Sequence, residues 1–222
     1  MTIHLEQIAA AYEGQAMLPR FLQPPDVGCI AVDGARILLV KELEGLQVES
    51  EPLEDGVRAH VRVLPGARFA QPIHLCFGSL AVAGVQRILA TFEVGEGAQV
   101  EFIACCSFPN AEQLEHLMEG TFSLAAGASV VYRETHHHNG LGGVLVRARA
   151  HVKVGEGARY IAGLNVTDGR AGSFSTTYDV DVAAHGLVEL NARGMGFGND
   201  VISIDETVRL NGREARGLAK AR

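Results

Sequence analysis

Short runs of apolar and β-branched residues, separated by turn residues, follow one another along the chain from Gly28 onward. The first pair, Cys29 to Val32 and Ile37 to Val40, flanks Asp33-Gly34 and predicts two short strands joined by a tight turn. Further along, four segments share one order: a strand, a Gly-Ala turn and a second strand. The turns begin at Gly66, Gly97, Gly127 and Gly157, at nearly constant intervals. A fixed period of about 30 residues is typical of a solenoid.

The composition of the repeats indicates which solenoid is formed. Gly, Val, Ala, Ile and Thr dominate them, and the main stretch that looks helical is Leu114–Met118. Helical solenoids are therefore excluded, and we predict a right-handed parallel β-helix with rungs of about 30 residues. A weaker repeat places Gly186 almost one full period after Gly157, and Asn211-Gly212 is a further predicted turn. The alternative is an antiparallel sandwich, in which turns would recur every ~8–12 residues.

The N-terminal segment has a different pattern. Apolar residues between positions 3 and 13 have helical spacing, and Gly14 is a natural end for a helix. A proline-containing, irregular stretch follows. We therefore predict two parts: a short helical and irregular segment at 1–27, and a β-helix core domain at 28–222.

Charge and composition narrow the classes of function. The chain has 222 residues, a net charge of −7 and no strong concentration of Lys and Arg before its last eleven residues, so we expect no nucleic-acid partner. No apolar run reaches the ~20 residues of a membrane span, and we see no signal peptide. The four cysteines do not resemble a disulfide framework. We expect a cytoplasmic protein with free thiols and no membrane association.

The period also predicts which side chains meet. Alternate residues of a strand share a face, and neighbouring strands lie ~4.8 Å apart. A shift of one period places Cys106 beside His136, with Glu134 and His138 on the same face as His136. A thiolate, a carboxylate and imidazoles suit zinc, iron and iron–sulfur centres, so these four residues are the candidate metal ligands. The neighbouring Cys105 should point the other way.

Simpler interpretations of the same residues stay open. Cys106 is also compatible with a small buried core residue, because free cysteines are often buried. The run His136–His138 is also compatible with a polar turn before Asn139-Gly140. Structural roles are expected for the scattered histidines, namely His74, His116, His151 and His185.

One alternative function is an enzyme. Glu134-Thr-His-His-His contains the H-x-H element of a metal-dependent cupin-like or β-solenoid enzyme, with Glu134, His136 and His138 as ligands. A cupin, however, places its glutamate after the two histidines, whereas Glu134 precedes them. Among glycine-rich motifs, no phosphate-binding loop and no G-x-S-x-G sequence is found. A β-helix with a purely structural role is the third interpretation.

The stretch 104–139 resembles the core of the SufB/SufD family, the scaffold subunits of the SUF system for iron–sulfur cluster assembly. The resemblance rests on Cys106-Ser-Phe-Pro109, the segment with His116, the turn Gly127-Ala128 and Tyr132. Further similar pieces are QPIHLCF (71–77), VDGARI (32–37) and TVRLNGREARG (207–217). The family core is a right-handed parallel β-helix, in agreement with the repeats.

The resemblance implies a non-enzymatic scaffold that carries an iron–sulfur cluster transiently and works with a SufC-like ABC ATPase subunit. It places Cys106 at the family's sulfur-accepting cysteine. Family members continue beyond the matched residues into a C-terminal region that contacts the ATPase, and its residues have no counterpart before Arg222. At the uncovered β edge near Val201–Leu210 we expect a homodimer or a SufB/SufD-type heterodimer, formed through the end of the β-helix.

Overall fold

The computed structural model describes residues 24–222, and every regular element in this range is a β-strand. The predicted helix at 3–13 lies outside the described residues, as does nearly all of the predicted segment 1–27. The strands are β1 (Cys29–Asp33), β2 (Arg36–Lys41), β3 (Leu46–Pro52), β4 (Gly56–Val63), β5 (Ile73–Gly78), β6 (Ala83–Val94), β7 (Gln99–Phe108), β8 (Gln113–Leu124), β9 (Ser129–His138), β10 (Val144–Val154), β11 (Arg159–Asp168), β12 (Ser173–Val182), β13 (Leu187–Gly194), β14 (Val201–Leu210) and β15 (Arg216–Ala221).

These strands form two sheets that the chain visits alternately. One sheet has the order β2-β1-β5-β7-β9-β11-β13-β15, and the other has the order β3-β4-β6-β8-β10-β12-β14. From β4 onward each strand pairs in parallel with the strand two positions along the chain. Each rung therefore contributes one strand to each sheet, which is the arrangement of a parallel β-solenoid.

The first elements differ from the rest because they pair as antiparallel hairpins. β1 pairs with β2 across the predicted Asp33-Gly34 turn, and β3 pairs with β4. The parallel pairing of the remaining strands confirms the all-β solenoid and excludes both an antiparallel sandwich and the antiparallel barrel of a cupin. The right-handed winding stays a prediction.

The helical interpretation of Leu114–Met118 was wrong. These residues belong to β8, where Leu114, His116 and Met118 are buried and the residues between them are more exposed. A period of two therefore governs the segment. Three apolar residues within five positions fit a helix and a strand equally well when the stretch is this short.

The predicted Gly-Ala turns lie above one another at one edge of the solenoid. Their first glycines all have positive φ, as shown by 65° at Gly97 and 62° at Gly157. Each turn donates a hydrogen bond to the next, for instance from Gly97 N to Ala126 O at 3.0 Å. The alanine after each glycine is more buried than the glycine itself, with Ala98 0% exposed. Small side chains at this position let consecutive turns approach closely.

The two weaker turns were placed at the wrong residue. In the fifth turn His185 has a φ of 58°, and in the sixth turn Glu214 has a φ of 58°. His185 N donates to Arg213 O at 2.8 Å, in the same ladder as the glycine turns. The left-handed position is therefore one residue before Gly186, and at Glu214 rather than at Asn211-Gly212. A search for glycine misses both, because neither turn has glycine at that position.

The hydrophobic core lies between the two sheets. Phe92 and Phe122, which are register partners on β6 and β8, stack with ring centroids 4.3 Å apart and an interplanar angle of 6°. A second, smaller cluster contains Cys29, Cys76 and Cys105. All four cysteines are free thiols. Within residues 24–222 there is no helix long and apolar enough to cross a membrane.

Candidate metal and sulfur site

Strands β7 and β9 bring the predicted site residues together inside the solenoid. They pair in the predicted register, with Cys106 opposite His136, Ala104 opposite Glu134 and Phe108 opposite His138. Cys106, Glu134 and His136 are buried and each offers a ligand atom within 4.8 Å of the other two. We call these three residues the interior site. Its donor set, a thiol, a carboxylate and an imidazole, matches the ligands of iron and zinc.

A hydrogen bond fixes the relative orientation of the Glu134 carboxylate and the His136 imidazole. His136 Nε2 and Glu134 Oε1 are 2.7 Å apart, and the Nε2–H group donates to the carboxylate. Nδ1 of His136 is buried and has no hydrogen-bond partner. Glu134 is 5% exposed, so its carboxylate lies inside the solenoid. The interior thus holds a carboxylate that is hydrogen-bonded to a histidine.

Burial controls the protonation of Cys106. Loss of solvation raises the pKa of its thiol well above the usual value, and the nearby Glu134 carboxylate raises it further. The free thiol is therefore neutral at physiological pH. Metal coordination reverses this balance because a coordinating thiol loses its proton.

Cys105 lies on the other face of β7, as the alternation along the strand predicts. It packs with Cys29 and Cys76 in the smaller cluster, and burial raises the pKa of its thiol to about 11. The adjacent cysteines therefore face opposite sides of one sheet. Cys106 contributes to the interior site and Cys105 does not.

His138 faces the same interior as His136, although it is not part of the tight group of three ligands. The two ring centroids are 5.6 Å apart. His138 Nδ1 donates to Arg170 O at 3.0 Å, and Nε2 is buried without a hydrogen-bond partner. Burial lowers the pKa of His138 to about 4. Its imidazole is therefore neutral at physiological pH.

His137 separates the two inward-facing histidines and points away from them. Its Nδ1 lies 2.9 Å from Asp168 Oδ2 on the neighbouring rung. Among the remaining histidines, His151 and His185 are exposed, and neither is in the interior site. The run of three histidines therefore serves two faces of the sheet.

Sequence reasoning missed two residues of this interior, His116 on β8 and Gln86 on β6. His116 is 0% exposed, and its ring centroid lies 6.0 Å from that of His136, which belongs to the opposite sheet. His116 Nδ1 and Gln86 Oε1 are 2.9 Å apart. The Gln86 amide nitrogen in turn donates to Gly78 O at 2.6 Å. A signal existed, since the two residues are one period apart and are register partners.

A polar strip continues from Glu134 along the interior. The hydroxyl groups of Tyr132 and Tyr160 are buried and have no hydrogen-bond partner. Beside Glu134 lies a cavity of ≈ 20 Å³ that is also lined by Thr176 and Tyr178. A volume of this size accommodates about one water molecule or a single ion. The part of the core around Glu134 is therefore polar.

Comparison with known proteins agrees with this description. No protein-family model matches the chain. The "iron-sulfur cluster assembly SufBD family protein" of Methanocaldococcus jannaschii is 29% identical over 193 residues, which are 87% of this chain and 61% of that protein. A protein of the same description from Pyrococcus horikoshii is 24% identical over 195 residues, 88% of this chain and 59% of that protein. The chain thus spans about three-fifths of the length of these curated relatives.

The fold and the site define a parallel β-solenoid protein whose interior holds a thiol, a carboxylate and histidines. The two archaeal relatives confirm the resemblance that the motifs around Cys106 and Gly127 indicated, since the chain is similar to two proteins that are both described as SufBD family proteins. Both relatives are described as proteins of iron–sulfur cluster assembly.

Proposed function

We propose that this chain is a scaffold component of SUF-type iron–sulfur cluster assembly, with Cys106 as the acceptor of sulfur or iron. Glu134, His136 and His138 are the further ligands in this proposal. The observation that carries it is the convergence of a thiol, a carboxylate and an imidazole within 4.8 Å in the interior. The iron–sulfur cluster is cargo, held transiently. The names of the two archaeal relatives support the same role.

Sulfur transfer to Cys106 is a thiol–persulfide exchange. The Glu134 carboxylate takes the proton of the Cys106 thiol, and the thiolate attacks the outer sulfur of a donor persulfide, R–S–SH. The sulfur–sulfur bond of the donor breaks as the new one forms, which gives Cys106–S–SH. The donor leaves as a thiolate and takes the proton back from Glu134. Exchange proceeds through the thiolate, so a nearby base is needed for a thiol whose pKa is raised.

Access limits which donor can react. Cys106 is 0% exposed, so a donor side chain from another protein cannot reach it unless the strands separate. A small persulfide needs a smaller separation of the strands than a protein side chain does. The proposal therefore favours a small sulfur carrier.

The partners belong to the proposal as well. A SufC-like ABC ATPase subunit is expected from the family, and a second subunit, identical or of the other SufB/SufD type, is expected at the end of the β-helix. Among the described strands, β14 pairs only with β12 and β15 pairs only with β13. Their outer edges carry the backbone groups that another strand would bind.

Anaerobic reconstitution tests the proposed site. Purified wild type, Cys106→Ala and Cys105→Ala are incubated with ferrous iron and sulfide, and bound iron and acid-labile sulfide are counted per chain. A parallel incubation with a small organic persulfide is read by mass spectrometry as the addition of one sulfur atom. We expect uptake by wild type and Cys105→Ala, and loss of most of it in Cys106→Ala.

Cys105→Ala is the matched control because it removes a buried thiol from the same strand on the opposite face. Equal uptake by Cys106→Ala and wild type contradicts the proposal, and so does a wild type that takes up neither cluster nor sulfur. Circular dichroism spectra of the three proteins establish that each keeps its β-sheet content.

A further inference from the structure

Three buried histidines form one group in the interior, which we call the three-histidine cluster: His116, His136 and His138. The ring of His136 is central, with centroids 6.0 Å from His116 and 5.6 Å from His138. Phe108 packs against all three rings, at centroid distances of 4.9, 6.5 and 5.5 Å. Two sheets contribute to the cluster, since His116 is on β8 and the other two are on β9.

Each ring of the cluster has one nitrogen that is anchored and one that is not. The anchoring acceptors are the Gln86 amide oxygen for His116, the Glu134 carboxylate for His136 and the Arg170 carbonyl for His138. The opposite nitrogens are His116 Nε2, His136 Nδ1 and His138 Nε2, and all three are buried without a partner. An acceptor on one side fixes the proton there and leaves a lone pair on the other nitrogen.

This pattern is that of metal-binding histidines. A ligating imidazole usually donates its other N–H to a carboxylate, an amide or a backbone carbonyl, which fixes the tautomer and aims the lone pair. All three kinds of acceptor occur here, one on each ring. Buried polar atoms without partners are uncommon, and three in one group call for an occupant. Burial also lowers the pKa values of His116 and His138, which keeps these rings neutral and able to coordinate.

The charge of the surroundings favours a cation as that occupant. Glu134 is buried, and its hydrogen bond within the described residues is with His136. A buried carboxylate needs a positive partner, and no arginine or lysine of residues 24–222 forms an ion pair with it. A divalent cation held by neutral imidazoles supplies the missing charge.

We propose that His116, His136 and His138 bind one divalent transition-metal cation, such as Fe(II), through their unpartnered nitrogens, with Glu134 balancing its charge. Imidazoles on one tetrahedral cation have centroids about 5 Å apart, whereas the His136 ring lies 6.0 Å from His116 and 5.6 Å from His138, so the rings need to move inward for all three to reach one cation. The idea that this cation is iron held beside the sulfur acceptor rests on the proposed function. The binding of a cation by the three histidines does not depend on that function.

Anaerobic titration of the metal-free full chain with Co(II) tests the proposal, because the visible absorption of Co(II) reports nitrogen coordination. His116→Asn is the decisive variant, since the asparagine amide can still donate to Gln86 but offers no ligand at the Nε2 position. We expect about one Co(II) per wild-type chain and at least tenfold weaker binding by His116→Asn. Gln86→Leu, which removes the anchor of His116, is expected to weaken binding by about 10–100-fold.

Two control variants complete the test. His151→Asn changes an exposed histidine and should bind Co(II) as wild type does. Cys105→Ala removes a buried thiol on the opposite face of β7 and should also bind Co(II) as wild type does. His116→Asn should keep its sulfur uptake, because Cys106 and Glu134 are unchanged, and this result separates the three-histidine proposal from the sulfur-acceptor proposal. The three-histidine proposal is overturned by a wild type that binds no Co(II) at ~100 µM, or by a folded His116→Asn that binds as tightly as wild type. Sulfur uptake by Cys106 can succeed or fail independently of either result.

Discussion

At the scale of single residues, burial of neutral histidines makes the stability of this protein depend on pH. His138 is 7% exposed and its pKa is lowered to about 4, chiefly by burial. In the unfolded chain the same imidazole titrates near its ordinary value of about 6.5. Between these two values the unfolded state binds a proton that the folded state does not, so folding becomes less favourable as the pH falls. Burial shifts His116 in the same direction.

We therefore expect the free energy of unfolding to fall as the pH is lowered from about 6.5 to about 4, with His138 contributing up to about 3 kcal/mol. Urea unfolding of wild type and His138→Asn at several pH values measures this effect. The asparagine keeps a donor for Arg170 O and does not titrate, so the variant should lose less stability over the same range. An unchanged pH dependence in His138→Asn contradicts the argument. His151→Asn, at an exposed position, should behave as wild type.

At the scale of the elements, the turn ladder depends on backbone conformation more than on contacts. Gly97 has a φ of 65°, and a Cβ added to it would meet no atom within 4 Å. Gly163, in β11, also has open space around an added Cβ, and its φ is not in the left-handed region. The two positions therefore differ in backbone conformation and not in steric room.

Gly97→Ala should lower the free energy of unfolding by about 1–2 kcal/mol, because an L-residue is strained at positive φ. For a chain of this length the melting temperature should fall by roughly 2–4 °C per kcal/mol. Gly163→Ala should be neutral or slightly stabilising, since alanine restricts the unfolded chain. Thermal unfolding of both variants at one pH measures the difference. Equal effects of the two substitutions would show that φ is not what the turn requires.

The repeat period made much of this fold predictable, together with the register that brings Cys106, Glu134 and His136 together. Parallel rungs of nearly constant length turn sequence separation into distance, so the pairing of Cys106 with His136 follows from a shift of one period. The same arithmetic pairs Gln86 with His116. The contact between His116 and His136 does not follow from it, because these residues lie on different sheets. Their approach depends on how the two sheets pack, which no repeat length encodes.

The turns were the second feature that the sequence predicted only in part. Glycine marks a left-handed residue when it is present, and the first four turns were found in this way. His185 and Glu214 adopt the same conformation without glycine because the stacked turns on the preceding rung fix the backbone there. Local sequence preferences therefore fail where the neighbouring rung determines the conformation.

At the scale of the whole molecule, exposed apolar side chains concentrate on one end of the solenoid. Nine large hydrophobic residues are exposed among residues 24–222, and five of them lie in or near β13 to β15: Met195, Phe197, Val201, Leu210 and Leu218. These side chains lie on or near β14 and β15, the strands at the edges of the two sheets. Apolar surface beside an open strand edge is typical of a surface that another chain covers.

The proposed dimer through this end can be tested with two exposed residues. Val201 and Leu210, at the two ends of β14, are 62% and 50% exposed, so replacing both with lysine should leave the fold intact. Sedimentation at micromolar concentration should show a dimer for wild type and a monomer for Val201→Lys/Leu210→Lys, because charges on an edge strand oppose pairing. Leu141→Lys, which is also exposed but lies between β9 and β10, should stay dimeric. A monomeric wild type would reject self-association and leave a different subunit as the candidate for this edge.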